Sequence, residues 1–223
     1  MSRFFSYIKY FFYLAWNWNV KIAIHILRQE IKGEKKYGIS TTGADELKSL
    51  EKKGIEIDHA TIYMPASYDI LKDIFLQVKI KPTSHFLDIG CGKGRVMCVA
   101  AYEGFIKVTG IDFSKAFCNA AEANLNITKQ KIPGLQYKVI NNDAFYFDIP
   151  NDVDCIFMFN PFDEVIMDGV AENILESFEM APRTITLIYA NPLYKEKLLE
   201  VGFKQIYHTQ KMNYLEAVIL ELK

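Results

Sequence analysis

Phe86-Leu87-Asp88-Ile89-Gly90-Cys91-Gly92-Lys93-Gly94-Arg95 decides how this chain is read. An apolar run passes into three glycines and then into a helical pattern. Glycine lets the backbone turn sharply and approach a ligand with no Cβ in the way. The helix start behind the turn offers N–H groups that have no intrahelical partner. Many folds use this arrangement for a nucleotide-like ligand, so the spacing decides. A dinucleotide fingerprint places its glycines as GxGxxG. Here Arg95 stands where the third glycine of that pattern falls, and the glycines are 90, 92 and 94. Asp88 also puts a carboxylate at the strand end. It repels a diphosphate but accepts from an ammonium group. Spacing and charge both depart from NAD binding.

Working outward, Asp112 closes the next apolar run in Gly110-Ile111-Asp112-Phe113-Ser114. It lies about 20 residues beyond the glycines, where an acidic residue holds ribose hydroxyls. Its two acceptor oxygens match a vicinal diol. Asn142-Asp143-Ala144 follows the third strand and offers hydrogen bonds to an adenine edge. Asn160-Pro161-Phe162 follows the apolar run Ile156 to Phe159. A polar residue there sits at a strand's carboxyl end, where open α/β sheets bind ligands.

The rest of the chain supplies the frame. Strands are expected at 85–89, 107–112, 136–141, 154–159, 184–190, 203–209 and 217–222. Helices are expected at 67–78, 95–103, 114–126, 165–180 and 194–201, with Ser114 as an N-cap. This alternation predicts a parallel sheet covered on both faces. Two final strands with no helix between them predict a hairpin, and so one antiparallel strand.

These segments resemble the class I S-adenosylmethionine (SAM)-dependent methyltransferase family, across about Tyr63 to Lys223. The resemblance implies an α/β Rossmann-like seven-stranded mixed sheet, order 3-2-1-4-5-7-6, with strand seven antiparallel. It implies that SAM is the cofactor, with Asp88 near its methionine end. Gly90, Cys91, Gly92 and Gly94 line it, Asp112 holds the ribose, Phe113 packs near the adenine, and Asp143 with Ala144 borders it. Bacterial members of unassigned substrate look similar. Tyr63-Met64-Pro65-Ala66 is similar to a Tyr-x-Pro-Thr/Ser element of a protein lysine methyltransferase branch. Asn160-Pro161-Phe162 is similar to the (Asp/Asn)-Pro-Pro-(Tyr/Phe) element of amine-methylating enzymes, with one proline instead of two. On that basis Asn160 and Tyr63 are the candidate catalytic residues, and Asn160 also borders the cofactor. The methyl acceptor is an unidentified nucleophile on a small molecule or a protein, an amine among the choices. A protein lysine N-methyltransferase and a non-catalytic SAM-binding protein are the alternatives.

The chain has 223 residues, 50% hydrophobic content and a net charge of −1, enough for one well-buried core. That charge balance argues against a polyanion binder, and no basic-aromatic patch supports nucleic acid as a partner. Cys91, Cys98, Cys118 and Cys155 form no CxxC pair, and the four histidines have no metal-ligand spacing. Reduced thiols and a cytoplasmic location are expected. Cys91 lies in the glycine loop with no activating base in view.

Residues 1–60 are expected as a helical extension and loop, ahead of a methyltransferase domain at 61–223. Phe4 to Leu27 reads as one amphipathic helix, with Arg3, Ser6, Lys9, Tyr13, Asn17, Lys21, His25 and Arg28 in a polar stripe. Those charges argue against a membrane span. The helix packs on the core, forms a homodimer interface, or lies on a membrane surface, partly roofing the site. Glu30 to Lys36 is expected to be solvated, and Tyr37 to Gly43 to be a polar connector. A short helix is expected at 45–53. Lys93 and Arg95 are expected as surface or helix-start charges.

Overall fold

The computed structural model describes residues 3–43, 64–159, 163–212 and 215–223. The helix expected at 45–53 lies outside the described residues, as do Tyr63, Asn160, Pro161 and Phe162.

The chain opens with two helices, α1 (Arg3–Asn17) and α2 (Val20–Tyr37). The single helix expected across Phe4 to Leu27 is therefore broken. Asn19 is extended, and its side chain accepts from the Ile22 amide at 2.9 Å, so it caps a new helix. The two helices pack through Tyr10, Leu14, Ala23 and Ile26. α3 (Tyr68–Phe75) follows.

Next come β1 (His85–Ile89), α4 (Arg95–Glu103), β2 (Lys107–Asp112), α5 (Lys115–Lys131) and β3 (Gln136–Asn141). A 3-10 turn at Ala144–Tyr146 leads to β4 (Val153–Phe159), α6 (Glu164–Met180) and β5 (Ile185–Ala190). α7 (Lys195–Glu200), β6 (Lys204–Lys211) and β7 (Leu215–Leu222) complete the order. α5 runs five residues past the expected 126. Leu125 and Thr128 are buried, and the Thr128 hydroxyl donates to the Asn124 carbonyl. Burial there overrides the weak helix propensity of Asn and Thr.

The seven strands form one sheet in the order β3-β2-β1-β4-β5-β7-β6. All neighbours are parallel except β5–β7 and β6–β7, so the final hairpin inserts β7 antiparallel beside β5. β1 is buried at every residue, as befits a strand covered on both faces. Its side chains alternate between layers. Phe86 joins the core beneath α3, α4 and α5, while Leu87 and Ile89 join the core beneath α6 and α7. The edge strands β3 and β6 are only partly covered.

Register then places the chemistry. Asp88 pairs across to Gly110 and Phe157, and Asp112 pairs to Asn141. Asp88, Asp112, Asn141 and Phe159 therefore stand at one edge of the sheet, the carboxyl ends of β1 to β4. Ala190 on β5 pairs with Phe159 and extends the same edge.

Candidate functional site

The glycine turn folds back over the end of β2. The Gly90 and Cys91 amides both donate to the Ile111 carbonyl, at 2.9 and 2.8 Å. Gly90, Gly92 and Gly94 all have left-handed φ, at 76°, 52° and 76°, which L side chains rarely adopt. Asp112 locks the turn from beneath: one carboxylate oxygen accepts from the Gly92 amide and the other from the Ser114 amide, both at 2.8 Å. Ser114 in turn caps α5. Gly110 went unremarked in the sequence, although a Cβ there would run into Met97 and Cys91.

Asp88 is 1% exposed, and its Oδ2 has no hydrogen-bond partner. Burial first, and the nearby Asp112 second, push its carboxyl well above the usual range. Burial also raises Asp112, to about 6, against the two amides that favour its charge. A buried polar atom without a partner is costly, and in native proteins it points to a partner yet to arrive. An ammonium group is the partner an isolated buried carboxyl suits best. The methionine ammonium of SAM is such a group, and the lone pairs that remain on Asp112 suit ribose hydroxyls. The residues present thus fit SAM. Cys91 lines the turn as a thiol, because burial and then the two carboxyls hold it well above the ordinary thiol range.

The adenine side is looser. Phe113 is 38% exposed at the end of β2. Asp143 is exposed, and its carboxylate caps the 3-10 turn by accepting from the Phe145 amide at 2.9 Å; Ala144 beside it is buried. Asn141 was missed in the sequence. Its side-chain amide donates to the Asp112 and Phe113 carbonyls, at 3.0 and 2.7 Å, and ties the ends of β2 and β3 together.

On the other side of β1 lies a cavity of about 290 Å³ at the ends of β4, β5 and β7. Trp18, Met64, Ala66, Ile70, Phe159 and Leu215 give it apolar walls. Ser67, Asn191 and Glu216 add polar groups. Asn191 has a φ of 50°, and its amide donates to the Glu216 carbonyl. No sequence motif marks this cavity, because its walls come from five separated segments. The catalytic candidates Tyr63 and Asn160 adjoin its Met64 and Phe159 in sequence but lie outside the described residues.

Two charge expectations are corrected here. Arg95 is 2% exposed and Glu30 1%, so neither is solvated. Arg95 donates to both Glu30 oxygens, at 2.7 and 2.5 Å, and also to the Thr41 hydroxyl and the Ala66 carbonyl. Its guanidinium lies 4.3 Å from the Tyr68 ring centre. Glu34 is buried too. Burial raises its carboxyl, but hydrogen bonds from Tyr7, Thr41 and Thr42 outweigh that and hold it below its ordinary value. The physical reason is closure. A bidentate, fully hydrogen-bonded pair is tolerated in a low dielectric where a lone charge is not. The 37–43 segment is likewise no free connector: Asn124 bonds both Ser40 and the Lys93 carbonyl, clamping it to the glycine turn.

Comparison with known proteins agrees with this layout. The family described as "Methyltransferase domain" matches residues 86–180. A demethylmenaquinone methyltransferase of Symbiobacterium thermophilum is 28% identical over 122 residues, covering 53% of this chain. The match spans 42% of that relative's length. Among solved structures, a SAM-dependent methyltransferase from Aquifex aeolicus aligns with a TM-score of 0.53 at 17% identity, covering 68% of this chain and 88% of that one. The Pyrococcus abyssi tRNA (uracil-54, C5)-methyltransferase, in complex with S-adenosyl-L-homocysteine, aligns with a TM-score of 0.51 at 13% identity, covering 69% and 37%. These two structures share the fold. The matched domain begins on β1 and ends with α6, so it takes in the whole polar edge from Asp88 to Ala144. With that match and the strand order of its sheet, residues 86–180 are similar to the methyltransferase domain family, set in a sheet with the fold of SAM-dependent methyltransferases.

Proposed function

We propose that the chain transfers the methyl group of SAM to a nucleophile on a small acceptor whose apolar body fills the cavity beyond β4. The observation that carries this reading is the cavity's place. Phe159 on its wall is one residue past Met158, which pairs with Ile89 just before the glycine turn. Donor and acceptor sites thus meet across the β1–β4 gap, the switch point of the sheet.

Bound SAM supplies a methyl carbon already activated by its sulfonium. The chain's own work is positioning and exclusion of water, worth up to about 7–11 kcal/mol when the geometry is tight. Asp88 holds the amino-acid end and Asp112 the ribose. Trp18, Ile70 and Phe159 keep water from the acceptor. Among the described residues that line the cavity, Glu216 is the one with an ionisable side chain, and it hydrogen-bonds His208 at 3.1 Å. It takes the proton that the acceptor releases. For an amine acceptor, Asn160 is assigned the task of orienting the lone pair, with Tyr63 as the second catalytic candidate.

A radiolabelled-methyl screen of lysate fractions tests this reading. Label is expected in small molecules, and label confined to protein would sink the small-acceptor assignment. Ser67→Phe, which adds bulk at the cavity wall, is expected to lower turnover about a hundredfold while calorimetric SAM affinity holds.

A further inference from the structure

The helical hairpin presents an apolar surface that no part of the described fold covers. Trp16 is 91% exposed, Phe12 66% and Phe5 62%, and with Ile8 they follow one another at helical spacing along α1. Val20 and Ile24 continue the run onto α2. Large apolar side chains exposed in such a row mark an interaction surface.

The charges beside them have one sign. Lys9, Lys21, Arg28, Lys32, Lys35 and Lys36 are exposed. The two acidic residues of these helices, Glu30 and Glu34, are both buried in the Arg95 and Thr42 networks. The hairpin's charged surface is therefore cationic, although the whole chain carries a net −1. Aromatic residues with Lys and Arg on one helix surface suit an interface with anionic lipid. A second copy is the poorer occupant, because a two-fold contact would set this cationic patch against itself. No helix among the described residues is long and apolar enough to cross a membrane. Trp18, two residues past Trp16, lines the acceptor cavity. The apolar face and the cavity wall thus share one short segment.

We propose that the α1–α2 hairpin docks on an anionic bilayer surface and that the acceptor enters the cavity from that lipid phase. The second half rests on the methyl-transfer reading above; the first half stands without it.

The full chain is mixed with vesicles of phosphatidylcholine alone and of phosphatidylcholine with phosphatidylglycerol. Its two tryptophans, Trp16 and Trp18, both report on this surface. The expected result is sedimentation and a blue-shifted emission with the anionic vesicles, weakened by salt. The Phe12→Ser/Trp16→Ser variant is expected to bind them at least about tenfold more weakly, since two apolar side chains no longer insert. Its thermal midpoint and SAM affinity should be unchanged. Lys21→Glu/Arg28→Glu should lose the anionic preference in the same way. A folded, SAM-binding chain that ignores both vesicle types overturns the proposal. So does a chain that dimerises through this face, shown by a self-association that the double serine variant abolishes. If vesicles are bound but SAM is not, the methyl-transfer reading falls and lipid docking stands.

Discussion

The two sides of the β1–β4 gap are built from different materials. On the β1–β2–β3 side the edge is polar: two buried carboxyls, a backbone turn and the Asn141 brace, all within residues 88–144. On the β4–β5–β7 side it is an apolar cavity whose walls come from five distant parts of the chain. The first surface recognises a ligand by charge and hydrogen bonds at fixed positions. The second recognises shape and apolar area. On the proposed reading, the polar edge is the donor site and should tolerate little change, whereas the cavity is the acceptor site and can be altered without touching the donor. Arg95 spans the two. It leads α4 directly behind the glycine turn and grips Glu30 on α2, the helix whose capping turn carries Trp18.

Breaking that span should have the largest effect. Arg95→Ala leaves Glu30 buried without its partner and should cost about 3–5 kcal/mol in denaturant unfolding. The pair Arg95→Met with Glu30→Leu removes both charges and should recover much of that loss. If the single variant unfolded at the same denaturant concentration as the parent, the two sides would not depend on this link.

The donor side alone is probed next. Asp112→Ala should weaken SAM by about 1–3 kcal/mol in calorimetry, the scale for a polar partner lost from a buried site. Its pH dependence follows from burial, which lifts Asp112 from 3.8 to about 6 and Asp88 well above its ordinary value. Both are more readily protonated folded than unfolded. SAM affinity should therefore fall as pH drops through about 6, where Asp112 gains a proton and loses acceptor strength. For the ligand-free chain the sign reverses. Between 3.8 and about 6 the folded state binds more protons than the unfolded state, so the Asp112 contribution to stability declines as pH rises through that window. Asp112→Asn should flatten that slope, and a slope unchanged in the variant would assign it elsewhere.

The smallest effect belongs to the acceptor side. Asn191 holds a left-handed φ at the cavity wall. Asn191→Ala should lower stability by about 1 kcal/mol, and Asn191→Gly should not. Neither should move SAM affinity. A SAM affinity that fell with either would show that the two sides are coupled through β5.

The strands were legible because their residues are near-continuous apolar runs punctuated by glycine and aspartate. β1, β2, β3 and α4 fall at the expected residues, the alternation predicted the parallel strands and the final hairpin, and the strand order is the one the family resemblance implied. The polar edge was legible for the same reason, since its parts follow their strands directly. Arg95, Glu30 and Glu34 were not. Glu30 and Glu34 lie in a lysine-rich helix that reads as solvated; their burial is made tolerable by Arg95, 65 residues from Glu30, and by Tyr7, Thr41 and Thr42 around Glu34. The break at Asn19 was hidden by an amphipathic period that continues through it.

The sequence by itself determined the strands of the sheet, the turn at 90–94 and the carboxylates that stand beside it. These depend on neighbours in the chain: a strand, the residue that ends it and the helix that follows. Only the tertiary structure decided which charges are buried, where the apolar cavity lies and which hairpin surface stays exposed. Each of those depends on which distant segment covers which face, and burial, unlike strand formation, is a property of both partners at once.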